Sequence, residues 1–146
     1  MQRPHDSRLG LGAPRAKRRG DSRSGGPDHV AGITNLTRDL AVPIYSTEPV
    51  HQLMHSLEVP KREQWGPTFG DEWVKAWTYP TKHVSSGQVV EIDGVSYRVE
   101  DLGAGGDSDA NSVWFIDAPV KTAFLSDLVF NGPHSYVADG HNATTS

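Results

Sequence analysis

The sequence predicts an α/β protein, on three observations. Apolar residues recur at helical spacing over 28–40, an apolar run at 41–46 leads into a second helical period at 48–57, and the chain changes to short strand-like runs from His83 onward. The order helix, strand, helix followed by antiparallel strands suggests a sandwich in which helices cover the outer faces of sheets.

The first helix is carried by Val30, Ile33, Leu36 and Leu40. Pro27 stands at its start, where a missing N–H costs nothing, and Asp28 lies near its positive end. Residues 41–46 (AVPIYS) read as a short buried strand. The second helix, 48–57, places Val50, Leu53, Met54 and Leu57 on one face. Residues 60–70 hold two prolines and two glycines and read as a loop, followed by a short helix over 71–79. Trp65, Phe69, Trp73 and Trp77 fall four apart. Packing of large rings onto the core explains such a stripe, and lining of a substrate cleft is the functional alternative.

Residues 88–92 and 95–100 alternate around Asp93-Gly94, a strong hairpin signal. Residues 111–116 and 120–125 are two further apolar runs, divided by Asp117-Ala118-Pro119. The Gly-rich stretch 103–106 is not followed by a helix pattern, so a backbone turn needing positive φ or close approach explains it better than a dinucleotide fingerprint.

Composition divides the chain. Residues 1–27 carry seven basic side chains against two acids, a net charge of +5, which leaves −9 for the rest. With Leu9 and Leu11 as its only large aliphatics, this basic leader is expected to be disordered. It has no aromatic residue among its arginines, and the remainder is acidic, so nucleic-acid binding is not expected. No window reaches the ~18 apolar residues of a membrane span, and the leader lacks the apolar core of a secretory signal, so no membrane partner is expected and the default compartment is cytoplasmic. The chain has no cysteine, which removes disulfides and thiolate ligands and leaves His, Asp and Glu to hold any metal.

Several constellations fail their tests. His51 and His55 stand i, i+4 on the second helix, a spacing that can chelate zinc, but they flank its apolar face and no Glu follows His51 as in a zinc-protease helix. They read as surface or boundary histidines. Asp107, Asp109 and Asn111 match the opening of a calcium loop, whose sixth and twelfth positions here are Ser112 and Ala118 rather than Gly and Glu. No Gly-x-Ser-x-Gly elbow supports a serine hydrolase.

The segments 28–33 (DHVAGI), 42–45 (VPIY), 103–106 (GAGG) and 125–130 (LSDLVF) together resemble, in order, the metallo-β-lactamase superfamily over roughly residues 24–142. The resemblance implies a four-layer αββα sandwich and hydrolysis of β-lactams, thioesters, lactones or phosphodiesters by water activated on metal. Asp28 and His29 match the end of the family's His-x-His-x-Asp-His motif, with Ser24 and Gly26 at its histidine positions. Asp127 matches the carboxylate that bridges two metals. The turn that supplies a further histidine reads GAGGDSD over 103–109 here, so that imidazole is absent, and Asp107 is an alternative oxygen donor outside the implied ligand set. His134, Asp139 and His141 resemble the loop that follows the metal aspartate.

The implied assignment is a partial domain of this type over 28–146, incomplete at both ends. It would bind one zinc ion at most, through Asp28, His29 and Asp127, and act as a metal-dependent hydrolase on a small-molecule substrate. The alternative is a catalytically inactive truncated fragment or a partner-dependent binding protein. Oligomeric state is not legible.

Overall fold

The computed structural model describes residues 27–129 and Gly132, apart from the side chains of Pro27 and Asp28. The predicted leader up to residue 26 and the histidine-bearing tail with His134, Asp139 and His141 lie outside the described residues.

The described chain is a mixed α/β structure. Helix α1 (Pro27–Thr37) opens at Pro27, a residue the composition had assigned to the leader. It buries Val30, Ile33 and Thr37 while Leu36 and Leu40 are 52% and 41% exposed. The predicted apolar face is therefore rotated. At about 100° per residue, Thr37 falls about 20° from Val30 and Leu36 about 120° away. Thr37 tolerates burial because its Oγ1 donates to the Ile33 carbonyl at 2.8 Å.

The expected strand over 41–46 shrinks to β1 (Tyr45–Ser46), which runs parallel to β2 (Lys82–His83). Ile44, just before it, is buried and its carbonyl accepts the N–H groups of Thr81 and Lys82 at 2.9 and 3.0 Å.

Helix α2 (Glu48–Phe69) corrects the expected loop, since it runs on through Pro60 and Pro67 to Gly70. Each proline removes an intrahelical donor, to the Ser56 and Glu63 carbonyls. Tertiary contacts offset the loss at mid-helix. The Glu58 carboxylate accepts the Trp77 N–H at 3.2 Å and the Tyr79 hydroxyl, and pairs with Arg62 at 2.9 Å. This strap of residues 77–79 holds α2 one turn beyond its last buried residue, Met54. A short 3₁₀ turn (Gly70–Glu72) replaces the expected helix over 71–79. The aromatic stripe divides: Trp77 is buried in the core, Trp73 packs beside it, and Trp65 and Phe69 are exposed on α2. Core packing therefore accounts for its inner half.

The remaining elements form a four-stranded antiparallel sheet in the order β3-β4-β5-β6. Strands β3 (Val89–Ile92) and β4 (Val95–Gly105) meet at the predicted Asp93-Gly94 turn, with φ of 52° and 77°, the pair of positive values that a type I′ hairpin requires. Strand β5 (Ser108–Ile116) starts three residues earlier than the apolar run at 111–116, and β6 (Thr122–Phe124) completes the sheet. The β4–β5 ladder shifts register on either side of Gly103, the irregularity of a β-bulge.

One core cluster joins the helices through Val30, Ile33, Ile44, Met54 and Trp77. A second, Val84, Val99 and Trp114, lies on the sheet with Tyr45, Tyr97 and Phe124 around it. Among the described residues, no helix is long and apolar enough to cross a membrane.

Candidate metal centre

Three side chains distant in sequence meet at one end of the sheet. His29 stands in the first turn of α1. Asp107 is the second residue of the two-residue turn between β4 and β5. Asp127 lies in a single 3₁₀ turn (Ser126–Leu128) that follows β6. Each is partly buried and offers one donor atom, and the three atoms all lie within 4.8 Å of one another. Among the described residues this is the one such group of His, Asp and Glu.

His29 is the hub. Its Nε2 lies 2.7 Å from Asp127 Oδ2, and its Nδ1 accepts or donates a 3.1 Å hydrogen bond with the Ser126 hydroxyl. Both ring nitrogens are thus anchored to the same short turn. Ser126 holds φ at 50°, which a residue with a β-carbon adopts only when its surroundings impose it.

The hairpin that carries Asp107 is fixed from two sides. Gly106, its first central residue, has φ of 60°, the left-handed value a type II′ turn needs there. From within, the Asn111 side-chain amide donates to the carbonyls of Gly103, Gly105 and Ser108 at 3.2, 2.9 and 3.2 Å. From without, the hairpin tip rests on the Asp127 turn. A β-carbon on Gly106 would lie 2.8 Å from the Asp127 carbonyl oxygen, and one on Gly105 would lie 3.0 Å from Leu128. The predicted need for close backbone approach at this Gly-rich turn is met here.

Of the residues expected from the sequence, His29 and Asp127 are brought together, Asp107 joins them, and the side chain of Asp28 lies outside the described residues. Sequence reasoning missed Ser126 and Asn111. Ser108, Asn111 and Ser112 are buried in β5, but the polar start of that strand (SDANS) does not tell which of its side chains faces inward, and Ser126 left no signal either.

The donor set fits one divalent ion. Ligands at about 2.0–2.2 Å around a tetrahedral ion stand about 3.4 Å apart, so the His29–Asp127 contact of 2.7 Å would open by well under 1 Å, and the separations to Asp107 are already within 4.8 Å. One imidazole nitrogen with two carboxylate oxygens suits zinc and its divalent neighbours. Two carboxylates this close repel each other, and a cation between them removes that repulsion.

No family model matches the chain, and no curated protein matches it. Among solved structures the chain is similar to MEM-A1, a subclass B3 metallo-beta-lactamase isolated from a soil metagenome library, at 16% identity and a TM-score of 0.37. The match covers 64% of this chain and 34% of that enzyme, so the chain spans about a third of that enzyme's length. An overlap this loose defines neither fold nor chemistry, which rest on the side chains described above.

Proposed function

We propose that the chain is a metal-dependent hydrolase of the metallo-β-lactamase kind, a partial αββα sandwich that holds one zinc ion through His29, Asp107 and Asp127. The observation that carries this reading is the convergence of those three donors from three separate elements. Asp28, next to His29 in the first turn of α1, is a further ligand in the same reading.

A zinc ion held by His29, Asp107 and Asp127 would supply water acidified to near neutral pH and polarisation of a carbonyl or phosphoryl oxygen. The protein's own groups do the rest. Ser126 sets the plane of the His29 ring through Nδ1, which leaves Nε2 facing the carboxylates. Asn111 holds the Asp107 turn, and the Gly106 contact fixes its distance from Asp127. The substrate class is a small molecule with an electrophilic carbonyl or phosphoryl centre.

A second reading has its own observation. Ser126, His29 and Asp127 form a hydroxyl–imidazole–carboxylate relay, with Ser126 in a strained backbone conformation. Two acidic groups beside it would oppose an oxyanion, which favours the metal reading.

The test is hydrolysis of a chromogenic β-lactam, a thioester and a phosphodiester by the full chain, with zinc quantitated on the same sample. Loss of one zinc equivalent together with turnover in Asp127→Asn supports the metal reading, and equal zinc in the two proteins overturns it. Turnover that vanishes in Ser126→Ala at unchanged zinc content points to the relay instead. Zinc without turnover on any of the three substrates leaves the protein a metal-binding module.

A further inference from the structure

A second group of nitrogen donors lies where the start of α2 meets β2, and it shares no residue with the His29 site. His51 and His55 are one turn apart on α2, and their Nε2 atoms face each other at 3.1 Å. Two nitrogens bound to one ion at about 2.0–2.1 Å stand about 3.0 Å apart at a right angle and about 3.4 Å apart at the tetrahedral angle. The observed separation falls between these values. The His83 ring, on β2, lies 4.5 Å from that of His51, centroid to centroid.

The groups around these rings are arranged as supports for ligands. Glu48 Oε2 sits 2.7 Å from His83 Nδ1, and Gln52 donates to the other oxygen of the same carboxylate at 2.5 Å. With Nδ1 donating to Glu48, the lone pair of His83 is on Nε2, the arrangement in which a carboxylate orients a metal-binding imidazole. Tyr79 stacks on His55 at 3.8 Å with an interplanar angle of 6°, which fixes that ring face to face. Tyr79 is itself tied to Glu58. The Nδ1 of His51 is buried without a hydrogen-bond partner.

We propose that His51, His55 and His83 form a second metal site for a late first-row divalent ion such as zinc, with Glu48 orienting His83. Three imidazoles suit zinc, copper and nickel rather than magnesium or calcium. His51 and His55 are already spaced for chelation. The donor atoms of the three histidines do not yet all lie within 4.8 Å of one another, and His83, whose side chain is 45% accessible, completes the set by swinging its Nε2 toward the other two while Nδ1 stays on Glu48. The ion would clip the first two turns of α2 to the two-residue strand β2, which is otherwise held by a short parallel ladder.

The experiment is calorimetric titration of the full chain with Zn²⁺ alone, on wild type and on Asp127→Asn, His55→Gln and His83→Gln. His55 and His83 are exposed, so neither substitution removes core packing. The expected result is one zinc equivalent that persists in Asp127→Asn and binds at least 10-fold more weakly in both histidine variants. Glu48→Gln should weaken the same equivalent by about 10–100-fold. Zinc binding that is unchanged in His55→Gln and His83→Gln overturns the proposal, as does an Asp127→Asn protein that binds no zinc. Circular dichroism of each variant, and a rise in the Tm of Asp127→Asn with added Zn²⁺, check that the titrated protein is folded and that the ion binds its native state.

Discussion

Gly106 presses against the main chain of Asp127: a β-carbon at position 106 would stand 2.8 Å from the Asp127 carbonyl oxygen. The contact ties the turn that presents one carboxylate of the candidate metal centre to the turn that presents the other. It is made between backbones, so no side-chain rotation relieves it.

Gly106→Ala is therefore expected to cost about 2–3 kcal/mol of unfolding free energy, from left-handed strain and from displacement of the Asp127 turn. Zinc affinity at the His29 site should fall at least 10-fold. Gly94→Ala is the control, since it has φ of 77° with nothing within 4 Å of the added carbon. It should cost about 1 kcal/mol and leave zinc binding unchanged. Urea unfolding and zinc titration of the two variants separate strain from displacement.

Asn111 is expected to matter through the same hairpin. Its amide serves three carbonyls, and Asn111→Ala leaves them without that donor at an expected cost of about 2–3 kcal/mol. Asn111→Asp should be worse than Ala, because a carboxylate would face three carbonyl oxygens. A variant order in which Asp is better tolerated than Ala, measured by thermal unfolding, would contradict the assignment of the amide as donor.

Stability is expected to depend on alkaline pH through Tyr79. Burial first, and then the hydrogen bond to Glu58, push the Tyr79 phenol up to about 12. A folded-state value above the ordinary ~10 means that the protonated phenol favours the fold. Its contribution is complete below about pH 10 and is lost as pH rises toward 12. Tyr79→Phe should be less stable than wild type below pH 10 and should flatten the decline between pH 10 and 12. On the acid side, the Tyr79 hydrogen bond holds the Glu58 carboxyl below its usual range, with further help from the Trp77 N–H and Arg62 against the opposing effect of burial. The Glu58 contribution is present above the ordinary carboxylate value and is lost as pH falls through the lowered one. Glu58→Gln should remove that acid limb.

Pro60 offers a gain. It is exposed within α2 and withholds the N–H that the Ser56 carbonyl would otherwise receive. Pro60→Ala should stabilise the protein, by up to about 3 kcal/mol, and raise helicity measured by circular dichroism. A lower Tm in the alanine variant would mean that the proline sets a bend on which the Glu58 strap depends.

What the sequence determined by itself was local. The Asp93-Gly94 hairpin, the alternating strands around it, the start of α1 at a proline and the first turns of α2 each follow from the backbone preferences of a few adjacent residues. The candidate site was half legible: a motif-like Asp28-His29 pair, an aspartate after an apolar strand at 127 and an acid in a Gly-rich turn at 107 were visible as residue types. Their meeting was not, because 98 positions separate His29 from Asp127 and no periodicity crosses that gap. The helix beyond Pro60 was illegible for the same reason, since the groups that steady it, Trp77 and Tyr79 on Glu58, lie 19 and 21 residues away. The choice of Thr37 over Leu36 for the buried face was likewise made by the partner surface. Tertiary structure decides such matters because packing and hydrogen bonding act on distance in space, and they override local propensities of comparable size.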